Sequence, residues 1–274
     1  MPKNAPLVLA AGLPQTQPAE HGSARIMVFR PERFTMREVL TNAKRIGFRP
    51  GTVIDCGFAY GTEGLDVFEE ATYVLIDPVS EVEPVMRRFC ESHPGSLYAV
   101  VAVSDEEGAM DMVTRKGVTG SSFHTKFLKQ VDEVRKVPVV TLDGYLNGRD
   151  VPKPYLLKLD VEGHELHVLH GAARTLLDTE MVIMEIGTWA EDHRRGRPSM
   201  MDLFRFMEEQ GFVFYEFVDP GFRPIDGALY MFDAVFVRTD SVVRRERRHK
   251  TPEQAQQARQ VKEFNARTAL ARRR

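Results

Sequence analysis

A doubly wound α/β sheet closed by an antiparallel hairpin is the fold this chain predicts. Three observations carry the prediction. Short apolar runs alternate with amphipathic stretches from Phe34 to Gln210, the pattern of strands joined by crossover helices. Asp55, Asp77, Ser104, Asp105, Asp160 and Glu185 stand at or near the ends of those runs, and in such a sheet the carboxyl ends of the strands line one edge. The chain then closes with Phe212 to Val218 and Met231 to Val237, two strand-like runs around a loop rich in Gly and Pro.

The elements follow in order. Residues 1–33 carry several prolines and no sustained periodicity, so they read as a poorly ordered lead-in. Met36, Val39, Leu40, Ala43 and Ile46 share one helical face between Phe34 and Ile46, and Gly47 stops that helix. Thr52 to Ile54 is a buried strand ending on Asp55, and Leu65 to Glu70 is expected to continue as a helix. Ala71 to Ile76 is a second strand, stopped by Pro78 after Asp77. Ser80 to Cys90 is a helix, Ser96 to Ser104 a third strand, and Ala109 to Arg115 its antiparallel return. Lys116 to Lys136 is a polar loop, and Val137 to Leu142 a short strand. Tyr155 to Val161 is a strand delivering Lys158 and Asp160, Glu162 to Leu177 a helix, and Met181 to Ile186 a strand ending near Glu185. A charged loop with Trp189, Arg194, Arg195 and Arg197 leads to a helix over Met201 to Gln210.

Composition bounds the function classes. The chain has 274 residues, 43% hydrophobic and 28% charged, which suits one large α/β domain with a buried core. Of the 37 Lys+Arg and 39 Asp+Glu, 11 and 3 fall between Ser241 and Arg274, leaving 26 against 36 before that point. The body (34–240) is acidic and the tail (241–274) is basic and helical in expectation. An acidic body is not a nucleic-acid surface, so nucleic acid is not the expected partner; the tail leaves a homo-oligomer contact open. Cys56 and Cys90 form no CxxC pair and imply a reduced, cytoplasmic setting, with Cys56 a small buried side chain. No apolar run approaches the roughly 18 residues of a membrane span.

Gly57, Ala59, Gly61 and Gly64 follow Asp55 in a turn of little side-chain bulk. Ala59-x-Gly61-x-x-Gly64, with Asp77 beyond it, comes close to the dinucleotide fingerprint, so an NAD(P)-dependent oxidoreductase has to be weighed. Against it, Ala59 replaces the first glycine, and Asp55 would oppose a diphosphate at the turn. A cofactor with a cationic amino group and no phosphate suits that acid.

Asp55-Cys56-Gly57-Phe58-Ala59-Tyr60-Gly61, then Ile76-Asp77-Pro78, then Ala102-Val103-Ser104-Asp105 with Gly108, resembles the FkbM-type S-adenosylmethionine-dependent methyltransferases. The sharper match is Lys158 to Glu165, KLDVEGHE, running into Val168-Leu169-His170-Gly171-Ala172 and a strand carrying Glu185. The resemblance runs from about Val39 to Val237. It implies a Rossmann-like seven-stranded methyltransferase sheet, with S-adenosylmethionine as cofactor. It further implies that Asp55, Gly57, Ala59 and Gly61 hold the methionine end, Asp77 the ribose hydroxyls, and Ser104 and Asp105 the adenine. The family commonly has Glu where this chain has Asp77. The expected reaction is O-methylation of a hydroxyl on a sugar, glycan or small-molecule natural product.

A hydroxyl needs a base or metal to lose its proton. Asp160, Glu162 and His164 are the candidate catalytic residues, with Asp160 toward the cofactor and Glu162 toward the acceptor. Asp160, Glu162 and Glu185 are the candidate ligands for Mg²⁺. Lys158 either neutralises these acids or pairs within the sheet. His164, His167 and His170 do not make the zinc motif HExxH. His124 and the Trp189 loop are candidate acceptor contacts, the tryptophan and arginines suiting sugars and anionic groups. The rival of another class is a non-catalytic nucleotide- or RNA-binding module using the basic tail.

Overall fold

The computed structural model describes residues 35–114, 133–189 and 197–271. The expected lead-in (1–33) and His124, Arg194 and Arg195 lie outside the described residues. Glu32–Arg247 forms one compact unit; the described part of the second, residues 248–271, holds a helix, Pro252–Ala271.

In chain order the unit holds α1 (Met36–Arg45), β1 (Thr52–Cys56), β2 (Thr72–Ile76), α2 (Glu83–Ser92), β3 (Leu97–Ala99), β4 (Ala102–Val103) and β5 (Gly108–Thr114). It continues with β6 (Glu133–Val140), α3 (Leu142–Leu146), β7 (Tyr155–Leu159), α4 (Glu165–His170), α5 (Ala173–Leu177) and β8 (Thr179–Gly187). Then come α6 (Met200–Glu209), β9 (Phe212–Phe222) and β10 (Leu229–Arg238); the separate helix Pro252–Ala271 is α7.

The main sheet has seven strands in the order β3-β2-β1-β7-β8-β10-β9. Its strands are parallel from β3 to β8, and β10 runs antiparallel to both β8 and β9. The strand order reverses between β1 and β7, where a crevice opens at the carboxyl ends. Here the expected doubly wound sheet with a closing hairpin is observed. A second sheet, β4-β6-β5, stands apart from it.

Period-two alternation splits the core over both faces of the main sheet. Val53, Leu75, Leu156, Ile183 and Val235 pack with Val39 and Leu40 of α1 and Met86 of α2. Ile54, Val74, Leu157, Val182 and Ala234 pack instead with Val168 and Leu169 of α4 and Leu203 and Met207 of α6. Burial on two faces is why β1 and β7 read as continuous apolar runs; each such side chain contributes about 1.5–3 kcal/mol. Thr35 and Glu38 close a capping box on α1, and Asp219 also accepts from the Met36 N–H at 3.0 Å.

Five expected elements differ, the polar loop Lys116 to Lys136 among them, since β6 already starts at Glu133. The run after the glycine turn is a single 3₁₀ turn, Leu65–Phe68, because the buried Tyr73 hydroxyl takes the Leu65 and Phe68 carbonyls at 2.9 and 3.1 Å. Ser96 to Ser104 divides at Val100-Val101: β3 pairs with β2, while β4 pairs with β6 in the second sheet. The return strand β5 therefore pairs with β6 and not with the strand before it. The expected helix from Glu162 starts only at Glu165, since Glu162 (φ 55°) and Gly163 (φ 94°) are left-handed. It also breaks at Gly171, where a Cβ would come within 2.0 Å of the Ser104 carbonyl oxygen.

The compact unit runs past 240 because Glu180 Oε1 accepts from the Ser241 hydroxyl at 2.7 Å and the Val242 N–H at 3.0 Å. Cys56 is fully buried, with burial raising its thiol pKa, as a small core side chain should be. No helix among the described residues is long and apolar enough to cross a membrane.

Candidate active site

The turn after β1 lies against the end of β7. The Asp160 N–H donates to the Cys56 carbonyl at 2.9 Å, and a Cβ on Gly57 (φ 90°) would fall 1.9 Å from the Asp160 carbonyl oxygen. Glycine at 57 is thus required by the protein's own backbone. Ala59 is left-handed as well, at φ 47°, held by its N–H donating to Asp77 Oδ2 at 2.8 Å. The other Asp77 oxygen accepts from the Val79 N–H at 2.8 Å. Asp77 therefore pins both the glycine turn and the chain after β2. Each oxygen keeps a second lone pair with which to accept from a ligand hydroxyl. Burial raises its pKa against the pull of those two N–H groups.

Asp55 is fully buried. The Thr62 hydroxyl donates to its Oδ2 at 2.7 Å, while Oδ1, also buried, has no hydrogen-bond partner. Burial lifts its pKa to about 7, opposed by Lys158 and the Thr62 hydroxyl. Groups of this kind demand a partner.

Lys158 sits beside Asp55 in register on the neighbouring strand and is 1% exposed. Its Nζ lies 3.4 Å from Asp160 Oδ2 and 3.8 Å from Asp233 Oδ1. Burial opposes its charge, but Asp160, Asp233 and Asp55 outweigh it and hold the ammonium above its usual range. Lys158 therefore neutralises a set of carboxylates gathered from three strands. Asp233 escaped the sequence reading. Its signal was an acid in the middle of the apolar run MFDAVFV, which a buried strand tolerates only with a partner. Gly57, Ala59, Gly61, Lys158, Asp160 and Asp233 line one cavity of about 320 Å³.

Glu185 pairs in register with Asp233. Burial, then Asp160, Glu162, Glu165 and Asp233, raise its carboxyl to about 8. Glu165, 2% exposed, accepts from the Gly163 N–H at 3.0 Å, and burial raises it to about 7. Glu162 faces Arg197, with Nη2 3.5 Å from Oε2.

The expected Mg²⁺ ligand set does not assemble. Among the described residues no three His, Cys, Asp or Glu side chains converge on a metal position. Asp160 turns onto Lys158 and Glu162 onto Arg197, so two of the three expected ligands are engaged by cations.

His164 stands elsewhere. It is 4% exposed, and its Nε2 meets Ser104 Oγ at 2.8 Å. The Ser104 hydroxyl contacts Asp105 Oδ1 at 2.9 Å, and Asp105 Oδ2 lies 3.0 Å from His167 Nδ1, whose ring stacks on His164. The His167 contact holds Asp105 down at about 2. Ser104, Asp105, His164 and His167 line a second cavity of about 440 Å³ that shares no lining residue with the first. The structure thus brings Gly57, Ala59, Gly61 and Asp160 together and groups the expected adenine pair with His164. Trp189 lies under Arg223, the guanidinium carbon 4.1 Å from the ring centroid.

The sequence model of the methyltransferase FkbM domain matches residues 55–214. Over 107 residues the chain is 42% identical to the hexuronic acid methyltransferase AglP of Haloferax volcanii, a stretch covering 35% of this chain and 45% of that relative. Among solved structures, a methyltransferase FkbM from Methylobacillus flagellatus KT aligns with a TM-score of 0.44 at 14% identity, over 74% of this chain and 48% of the other. The N-methyltransferase NodS of Bradyrhizobium japonicum WM9, in complex with S-adenosyl-L-homocysteine, aligns with a TM-score of 0.42 at 11% identity, over 74% and 87%. The family match spans more than half the chain, from Asp55 through Lys158 and Glu185 into β9, and the chain belongs to the FkbM methyltransferase family.

Proposed function

We propose that the chain transfers a methyl group from S-adenosylmethionine to an oxygen of a carbohydrate acceptor. The observation that carries the cofactor is the buried, unpartnered Oδ1 of Asp55 beside the glycine turn. A cationic amino group satisfies that oxygen and returns the carboxyl to its charged form, whereas a diphosphate would be repelled by it. The nicotinamide reading therefore has no support in the site. The carbohydrate acceptor is inferred from the sugar acted on by the AglP relative, matched over less than half its length.

When bound, S-adenosylmethionine supplies an electrophilic methyl carbon on a sulfonium. This chain's residues bind and orient. Asp77 receives ribose hydroxyls, Gly61 gives close backbone approach, Gly57 lets the turn lie on the end of β7, and Lys158 fixes the carboxylate of Asp160 at the cavity wall. Much of the barrier to an in-line displacement is removed by such positioning. A sugar hydroxyl loses its proton as its oxygen attacks; Asp160 is our base, with Asp233 and Glu185, raised by burial, next to it. Glu162 orients the acceptor from the side of Arg197, and His164 holds the Ser104–Asp105 loop.

Incubating the protein with labelled S-adenosylmethionine and a panel of neutral and acidic oligosaccharides should put label into a sugar as a base-stable methyl ether. Label that mild base removes would move the transfer to a carboxylate. Calorimetry showing NAD bound and S-adenosylhomocysteine unbound would sink the methyltransferase reading.

The Asp55 assignment has its own pH signature. Below about pH 7 the free protein carries Asp55 protonated, so binding an amino cation must expel that proton. Affinity for S-adenosylhomocysteine should rise up to about tenfold per unit as pH approaches 7 from below, then level off. Methylthioadenosine, which lacks the amino acid end, should show no such slope, and neither should Asp55→Asn with S-adenosylhomocysteine. Equal slopes for the two ligands would remove Asp55 from the amino group.

A further inference from the structure

We propose that Trp189 and Arg223 form a subsite for an anionic sugar at the rim of the carboxyl edge, outside the pocket where methyl transfer takes place. This rests on the carbohydrate reading above.

The placement follows from the strand register. Asp233 faces Glu185, and Met231 faces Gly187. Beyond the sheet the two chains stay together: the Thr188 N–H donates to the Tyr230 carbonyl at 2.9 Å, and its hydroxyl to the Leu229 carbonyl at 2.7 Å. Trp189 comes next, half-buried, four residues past Glu185. From the other side Arg223 is fixed at the root of the hairpin loop, its N–H donating to the Ala228 carbonyl at 2.9 Å. Its guanidinium lies over the indole, and Nη1 stands 3.5 Å from Asp226 Oδ2.

Charge divides this edge into two zones. Inside, Asp160, Asp219 and Asp233 face the cavity around one buried cation, Lys158. A carboxylate or phosphate carried inward would meet these acids and Glu185 beyond them. At the rim, Arg223 shares Nη1 with Asp226, while its Nε and Nη2 have no other partner among the described residues and can fork onto an anionic oxygen pair. The indole offers an apolar face to the C–H side of a pyranose. Four residues of extended chain span roughly 13 Å, farther than one pyranose ring reaches. The anionic sugar held here is then a neighbour of the sugar that is methylated, and the acceptor has at least two units.

Calorimetry in the presence of S-adenosylhomocysteine tests this with three probes: digalacturonate, galactose 1-phosphate and neutral galactobiose. The wild type should bind at least one anionic probe tenfold or more tighter than galactobiose, and the tighter of the two identifies carboxylate or phosphate as the group read. Arg223→Gln should erase the preference, and Arg223→Lys should keep part of it. Both variants should bind S-adenosylhomocysteine as the wild type does. Trp189→Ala should weaken all sugars. Galactobiose binding as tightly as the acids, no sugar binding by cofactor-loaded wild type, or a preference that survives in Arg223→Gln would overturn the subsite. Loss of S-adenosylhomocysteine binding by the wild type would instead overturn the function it rests on.

Discussion

Gly57→Ala is expected to lower stability by about 2–6 kcal/mol and to abolish cofactor binding. Two costs add. A Cβ at a φ of 90° is strained wherever it has room, at about 1–3 kcal/mol. Here it has no room: the Asp160 carbonyl oxygen would lie 1.9 Å away, and that atom belongs to the backbone of a neighbouring strand end. The ends of β1 and β7 must part, at a further 1–3 kcal/mol or so, and the crevice of the site opens with them. Gly61→Ala is the control. It is also left-handed, at φ 113°, but its Cβ would meet only Phe58 Cζ at 3.8 Å, so it should lose about 1–3 kcal/mol. Urea titration of both variants measures the difference from the midpoints. Equal losses would show that Gly57 is kept for its backbone angle alone and that the β7 contact is soft.

That contact also marks how far the chain could be read from its residues. The strands of the main sheet were legible because apolar side chains on both faces make continuous runs, and their terminal acids were legible from position. What escaped depends on contacts distant in sequence. The helix after the glycine turn is lost to a hydroxyl on Tyr73, in the next strand. The need for glycine at 171, where the helix breaks, comes from the Ser104 carbonyl. Periodicity sees neither. In the candidate site, Gly57, Ala59, Gly61 and Asp160 were legible as the glycine turn and the acid at a strand end, and they line one cavity. Asp233 arrives on β10, 73 positions after Asp160, by pairing with β8. The second sheet carries Ser104 and Asp105 toward α4, which is why their partners are His164 and His167.

Lys158→Met should be the more revealing loss, because its size should depend on pH. Methionine fills a similar volume and removes only the charge and its hydrogen bonds. The variant leaves Asp55, Asp160 and Asp233 without their shared cation, and breaking a buried pair from one side costs about 3–5 kcal/mol. The sign follows from proton linkage. Asp55 and Asp233 already have folded-state pKa values raised above their unfolded ones, with Lys158 the force opposing the rise. Without it they rise further. A carboxyl raised in the folded state gives stability that is present below its unfolded pKa, near 4, and is lost as pH climbs through its folded value. The variant's deficit against wild type should therefore be small near pH 5 and grow toward pH 8. Lys158 itself, held above its usual range, titrates beyond that window and adds no slope. Adding Asp233→Asn to Lys158→Met should recover part of the loss at pH 8, a coupling that a double-mutant cycle reads directly. A deficit of the same size at pH 5 and pH 8, unrelieved by Asp233→Asn, would mean that Lys158 is held by packing and not by the carboxylates of three strands.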